Sequence, residues 1–168
     1  MPSVAAVIFD FDGIVLDSET PEYESHRRIY EQCGVTLSVI SQFRFLDAVV
    51  KTRAAVASGR FGTPTMGSAY VKWYRPQSYY DGAAWRGTFA LDGGGCLINQ
   101  AIHAIDQLLH LFGPVIRVQA AVATRAHAIE VEDTAAAALT FAHGGLGHVV
   151  ASTAAYPGQA ARLELHGT

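Results

Sequence analysis

One helix set among strands constrains this chain more than any other feature. The stretch "LINQAIHAIDQLLHLF", residues 97–112, places Leu97, Ile98, Ile102, Ile105, Leu108, Leu109 and Phe112 on one broad face at 100° per residue. Gly113-Pro114 then ends the pattern. Around it the texture is strand-like: Thr65 to Tyr74 before it, and Val115 to Thr124, Thr134 to Phe141, Leu146 to Ser152 and Arg162 to His166 after it, all rich in Val, Ala, Thr and aromatics. A single apolar helix face inside a run of strands has to be buried against the sheet those strands make. The expected fold is therefore α+β, an open and mostly antiparallel sheet with helices on one face. A further helix is predicted from about Leu46 to Ser58, closed by Gly59.

A short β-α unit precedes this fold, and charge marks the join. Residues 1–41 hold seven Asp/Glu against Arg27 and Arg28, whereas residues 42–168 hold ten Lys/Arg against eight Asp/Glu. Val4 to Phe9 reads as a buried strand, and Thr20-Pro21 as a helix start, with the hydroxyl at the N-cap and proline in the first turn. That helix runs to about Cys33 and stops at Gly34. Two units follow from this, residues 1–38 and residues 42–168.

Half of the 168 residues are apolar and 16% are charged, which fits a globular chain. A net charge of −3 without clustered Lys or Arg argues against a nucleic-acid or anionic-membrane surface. No apolar run approaches the roughly 20 residues of a membrane helix. Cys33 and Cys96 lie far apart, so a disulfide framework or a zinc site is not expected and a cytoplasmic setting is. The opening "MPSVAAVIFDFDG" meets acids within ten residues and reads as a first strand, not a leader.

Two aspartates follow that strand. A carboxylate at a strand end can attack phosphorus, and one two residues later lies on the same side and can protonate a leaving oxygen. Magnesium bound at Asp10 and Asp12 would neutralise charge that otherwise repels the nucleophile. "FDFDGIVLDSE" and "TPEYESHRRIYEQCGV" resemble the haloacid dehalogenase-like (HAD) phosphatases and sugar phosphomutases over about residues 1–38, and the resemblance implies Asp10 as nucleophile and Asp12 as acid/base. The family's later groups do not follow in order. Lys51 and Lys72 succeed no second buried strand, and Glu132-Asp133 in "VEDTAAAAL" leads into "TFAHGGLGHVVAST", which alternates like a strand.

The helix after "LDGGG" carries a second constellation. Three glycines permit close approach of backbone to a ligand or a neighbouring strand and leave the helix N-terminus open. Asn99, His103, Asp106 and His110 form a narrow band opposite the apolar face. A solvent face is normally built from Lys, Glu and Arg, and this band has none. It reads as a functional lining.

From about Gln42 onward the chain resembles the C-terminal domain of the glucose-fructose oxidoreductase/inositol dehydrogenase (Gfo/Idh/MocA) family of NAD(P)-dependent sugar dehydrogenases. The matching stretches are "QFRFLDAVVKTRAAVASGRFG", "GSAYVKWYRPQSYYDGAAWRGTFALDGGGCLINQAIHAIDQLL", "VEDTAAAALTFAHGGLG" and "ASTAAYPG" with "RLELHGT", in family order. The resemblance gives His103 the family's histidine position, where an imidazole suits proton exchange with the hydroxyl whose carbon loses hydride. It sets Asn99 where many members carry aspartate; the "NQ" subgroup includes nucleotide-sugar 3-dehydrogenases. Asp106 could orient the imidazole, or be a surface or capping carboxylate.

The stretch "KWYRPQSYYDGAAWRG" offers Lys72, Arg75, Tyr79, Tyr80, Trp85 and Arg86 to a sugar or nucleotide-sugar ligand, aromatics stacking on sugar faces and arginines pairing with carboxylate or phosphate. His127, His143, His148 and His166 read as ordinary edge or turn histidines, and Cys96 as a small apolar filler. The family's NAD(P) is held by a Rossmann domain of on the order of 100 residues. No such domain is expected here, since neither "GRFGTPTMG" nor "DGGGCLINQ" follows a βαβ start. The chain reads as a chimeric fragment, inactive alone, with an exposed sheet face suited to self-association.

Overall fold

The computed structural model describes residues 6–10, 28, 31–34 and 36–168. The main sheet has five strands: β3 (Pro64–Lys72), β4 (Val115–Ala123), β5 (Thr134–Phe141), β6 (Leu146–Ser152) and β7 (Arg162–Gly167). Their spatial order is β4-β5-β6-β3-β7. Every neighbouring pair is antiparallel except β3 and β6. This is the open, mostly antiparallel α+β sheet expected. Thr134–Phe141 and Leu146–Ser152 match the expected limits, while β3 ends at Lys72, before the expected Tyr74. Pairing nonetheless persists beyond Lys72, because Trp73 N donates to the Ser152 carbonyl and Tyr74 bridges Ala154.

Alternation sorts the strands into two faces. Ala69, Val71, Ala135, Leu139, Phe141, Val149 and Ala151 make the core beneath the helix Ile102–Phe112, labelled α4 below, which contributes Ala104, Leu108 and Phe112. The opposite face carries Met66, Ser68, Tyr70 and Lys72 of β3 beside Leu146 and His148 of β6. Phe112 reaches the sheet through a gap left by glycine. A Cβ on Gly67 would lie 2.7 Å from the Phe112 ring, and one on Gly147 would lie 1.9 Å from the Gly67 carbonyl oxygen. Phe112 then meets Phe141 edge-on at 4.7 Å.

The remaining helices are α1 (Asp47–Ala57), α2 (Gln77–Asp81) and α3 (Phe89–Asp92). α1 falls within the expected Leu46 to Ser58, and Gly59 at φ 76 follows it. The expected unbroken helix from Leu97 to Phe112 is instead divided: a π-turn at Cys96–Gln100, marked by the Ala101 N to Cys96 O hydrogen bond of 2.9 Å, precedes α4. A π-turn turns less per residue than an α-helix. Asn99 and Gln100 are thereby rotated out of phase with α4.

A strand absent from the sequence reading, β2 (Thr36–Ile40), pairs in parallel with β1 (Ala6–Asp10), Asp10 lying opposite Ile40. It straddles the expected boundary between the two units. Of the expected first helix, residues 31–33 are helical and Gly34 follows at φ 67; Thr20 and Pro21 lie outside the described residues. No helix among the described residues is long and apolar enough to cross a membrane.

The glycine gap defines a packing test. Gly67→Val should destabilise the chain by about 1–3 kcal/mol through overpacking, and Phe112→Ala by about 3–5 kcal/mol through lost burial and a cavity. Urea melts of both variants check this, and a Gly67→Val curve matching the parent would refute the packing argument.

Candidate active site

The π-turn is seated by an approach that only glycine permits. A Cβ on Gly95 would lie 1.8 Å from the Glu132 carbonyl oxygen, and Cys96 N donates to that carbonyl at 2.8 Å. The Glu132 carboxylate accepts from Gly95 N and Leu97 N, both at 3.0 Å. The helix start expected to be open is thus closed by a carboxylate, which also suits the positive end of the helix. Gly95, the last of the triple glycine, serves a neighbouring chain segment. Cys96 lies beneath, and burial, reinforced by Glu132 and Asp133, pushes its thiol up to about 12. An uncharged filler is what remains.

Beyond the glycines, Asn99 and Gln100 meet the loop that follows β3. Arg75 Nη2 donates to Gln100 Oε1 at 2.8 Å. Gln100 Nε2 donates to the Tyr79 hydroxyl at 3.3 Å and to Asn99 Oδ1. Asn99 Nδ2 donates to Asp92 Oδ1 at 2.7 Å, while the other Asp92 oxygen accepts from Gly87 N at 2.8 Å. The Arg86 guanidinium lies 4.4 Å from the centre of the Tyr79 ring and 5.1 Å from that of Trp85. Arg75 lies 5.1 Å from Tyr79 and 5.5 Å from Trp73. The Nε groups of Arg75 and Arg86 are both buried without an acceptor. Arg75 also borders an open cleft of about 360 Å³ lined by Trp73, Tyr74, Gly158 and Gln159.

The structure therefore brings Arg75, Tyr79, Trp85, Arg86 and Asn99 together, and adds Asp92 and Gln100. Those two stand inside quoted motifs, "LDGGG" and "INQ", but only the π-turn and the α3 turn make them neighbours. Tyr80 lies just below, buried, its hydroxyl 2.7 Å from Thr153 Oγ1; burial chiefly raises its pKa. Lys72 is not brought to this group. It lies on the opposite sheet face, 5.4 Å from the Tyr70 ring.

His103 is half-buried at the second residue of α4, its ring 4.6 Å from Phe43. Lower on the helix the polar band changes character. The Asp106 carboxylate takes Arg44 through both oxygens, with Arg44 Nε donating at 2.9 Å, and Arg53 donates to the His110 carbonyl. Burial, then Arg53 and Arg44, lower the His110 pKa against the pull of Asp106. The band read as one functional lining is therefore split: Asn99 faces the loop, and His103, Asp106 and His110 face the 3₁₀ turn Gln42–Phe45 and α1.

Of the phosphatase-like pair, Asp10 closes β1 and Asp12 lies outside the described residues. Among the described residues no group of three or more His, Cys, Asp or Glu could hold a metal ion. Gly95, the last residue of the glycine cluster at 93–95, abuts Glu132, whose carboxylate takes the Gly95 and Leu97 amides that a pyrophosphate would need there.

Asp133 is fully buried. Its carboxylate accepts from Arg125 N and Ala126 N at 2.8 Å, from His127 N at 3.0 Å and from the Thr134 hydroxyl at 3.0 Å, and it lies 2.9 Å from His127 Nδ1. Burial works against the charge, yet the hydrogen bonds prevail and hold its pKa below the usual carboxylate range.

Comparison with known proteins gives this geometry a family. A model of the GFO/IDH/MocA C-terminal domain matches residues 49–168. The chain is similar to the WlbA dehydrogenase of Chromobacterium violaceum, solved in complex with NADH and UDP-GlcNAcA: 33% identical, TM-score 0.83, covering 97% of this chain and 46% of that one. Against the WlbA dehydrogenase of Bordetella pertussis, also with NADH and UDP-GlcNAcA, the identity is 35%, the TM-score 0.81 and the coverage 97% and 49%. The chain thus belongs to the GFO/IDH/MocA family of oxidoreductases, and it spans less than half the length of these relatives. A separate likeness joins 34 residues, 20% of this chain, to 16% of Bacillus subtilis YhcW, a protein named as a phosphatase, at 53% identity.

A depressed carboxylate pKa stabilises the fold above the unfolded-state value of about 3.9, and that contribution is lost as pH falls through the folded value. Asp133→Asn should cost about 3–5 kcal/mol at pH 7, because it breaks a buried pair, and should flatten the fall of Tm below about pH 4. Thermal melts from pH 7 to pH 2.5 check this; a variant that loses stability in parallel with the parent would contradict it.

Proposed function

We propose that this chain is the sugar-side domain of an NAD(P)-dependent nucleotide-sugar dehydrogenase. The observation that carries the reading is the convergence of two guanidinium groups, Arg75 and Arg86, with the Tyr79, Trp73 and Trp85 rings around the Asn99–Gln100 amides. Against them the network holds one carboxylate, Asp92. Such a set suits a ligand with anionic groups beside a sugar face, guanidinium taking phosphate or carboxylate and the rings taking the apolar face. The UDP-GlcNAcA held by both WlbA relatives has that chemistry.

In this reading His103 accepts the proton of the reacting hydroxyl and Asn99 orients it, since an amide can hydrogen-bond a hydroxyl but cannot take its proton. NAD(P), when bound in the assembled enzyme, would supply the hydride acceptor, and the residues of this chain are given the sugar side. The isolated chain accordingly binds ligand and turns none over. The face bearing Met66, Tyr70, Leu146 and His148 is given to a second copy of the chain, in keeping with the exposure of Met66 and Leu146.

Isothermal titration of the purified chain with UDP-GlcNAcA should give saturable binding, weakened about tenfold or more by Arg75→Ala, as expected for loss of a hydrogen bond to a charged group. Absence of binding, or a dehydrogenase rate from the chain alone with NAD, would overturn the reading.

The likeness to YhcW favours one second reading, a magnesium-dependent phosphatase or phosphomutase using Asp10 and Asp12. Hydrolysis of p-nitrophenyl phosphate with magnesium, abolished by Asp10→Asn, is its expected signature. An identical rate from the parent and the variant would remove it.

A further inference from the structure

The turn that Asp133 holds carries His127, read from the sequence as an ordinary turn histidine. Its side chain is 4% exposed, and its ring packs against Tyr80 with centroids 4.8 Å apart. Nδ1 lies 2.9 Å from Asp133 Oδ2, and Nε2 lies 2.8 Å from the backbone carbonyl oxygen of Arg75. Both partners are acceptors. A carbonyl has no proton to give, and the Asp133 oxygens already take three backbone N–H groups and a hydroxyl. The ring completes both bonds only by donating from both nitrogens.

We propose that His127 is a positioning residue for the arginine side of the site: oriented by Asp133, it donates to the Arg75 carbonyl and so holds the Arg75 guanidinium on Gln100 for an anionic ligand. The rest of the Arg75 backbone is fixed by the same support. Arg75 N donates to the Thr153 carbonyl at 2.7 Å, and Thr153 N donates to the Asp133 carbonyl at 2.9 Å. With its N–H and C=O both tied, Arg75 keeps only its side-chain torsions, and Gln100 limits those. The contact of Ala128 N with Gln77 Oε1, 2.9 Å, draws the same turn onto the start of α2. The titratable groups facing the ring are Asp133, just before β5, and Tyr80 on α2; Arg75 faces it through its backbone.

The inference rests on the nucleotide-sugar reading only for the ligand, so two readouts separate the failures. Asn at position 127 keeps a donor where Nδ1 stands, and Gln keeps one where Nε2 stands. In titrations with UDP-GlcNAcA, His127→Gln should stay within about twofold of the parent, whereas His127→Asn should weaken binding about tenfold. A purely structural role predicts loss in step with Tm; equal losses in both variants, or none where the parent binds, overturn the inference. In the ligand-free chain, both His127 ring N–H protons should appear in ¹H–¹⁵N spectra. Amide exchange over residues 75–81 should quicken in His127→Asn and not in His127→Gln. A ring with one bare nitrogen, or equal exchange in both variants, overturns the positioning role whatever the ligand result. A parent chain that shows the ring signature and the exchange pattern but binds no UDP-GlcNAcA supports the positioning role and defeats the nucleotide-sugar reading.

Discussion

Two adjacent carboxylates, Glu132 and Asp133, tie the functional end of this molecule to its sheet. Glu132 grips the Gly95 and Leu97 amides with its side chain and Cys96 N with its carbonyl, which fixes where the π-turn begins. Asp133, one residue on, gathers the 125–127 turn and the His127 ring, which reaches the Arg75 carbonyl. The amide pair and the arginine that meet in the site are thus both referred to the two residues that precede β5. A charged group can sit fully buried at that point because its lone pairs are met by N–H and O–H donors, so that desolvation is offset.

The glycines have a related logic at two levels. Gly95 admits the Glu132 carbonyl, and Gly67 with Gly147 admits Phe112 to the sheet; in each case the missing Cβ is what lets two layers touch. From the sequence alone the triple glycine was open to either a ligand or a chain neighbour. Glycine leaves room without naming the occupant. The occupant here is the acidic segment thirty-odd residues later, and that same occupancy removes the helix N-terminus as an anion site.

The candidate site was partly legible. Arg75, Tyr79, Trp85 and Arg86 lie in one short stretch of sequence, and Asn99 lies in a band whose lack of Lys, Glu and Arg sets it apart. Reading that band at 100° per residue joined Asn99 to Asp106 and His110, but the π-turn breaks the phase and α1 brings Arg44 and Arg53 over the lower half. Lys72 adjoins the loop in sequence, yet strand alternation sends it to the opposite sheet face beside Tyr70. His127 has no local signal for its contact with the site, because that partner is the backbone carbonyl of an arginine more than fifty residues upstream.

What the sequence by itself determined is the layered α+β sheet and the family order of its motifs, since both are encoded by local periodicity and by runs of neighbours; the helix face turned to the sheet is shifted from the one read at 100° per residue, Leu111 being buried and Leu109 exposed. The parallel pairing of β2 with β1, the interrupted helix and the chain of hydrogen bonds from Asp133 through His127 to Arg75 were decided by tertiary structure. The physical reason is common to the three. Each depends on a backbone donor or acceptor finding its partner from a distant segment, and backbone groups are the same at every position of a sequence.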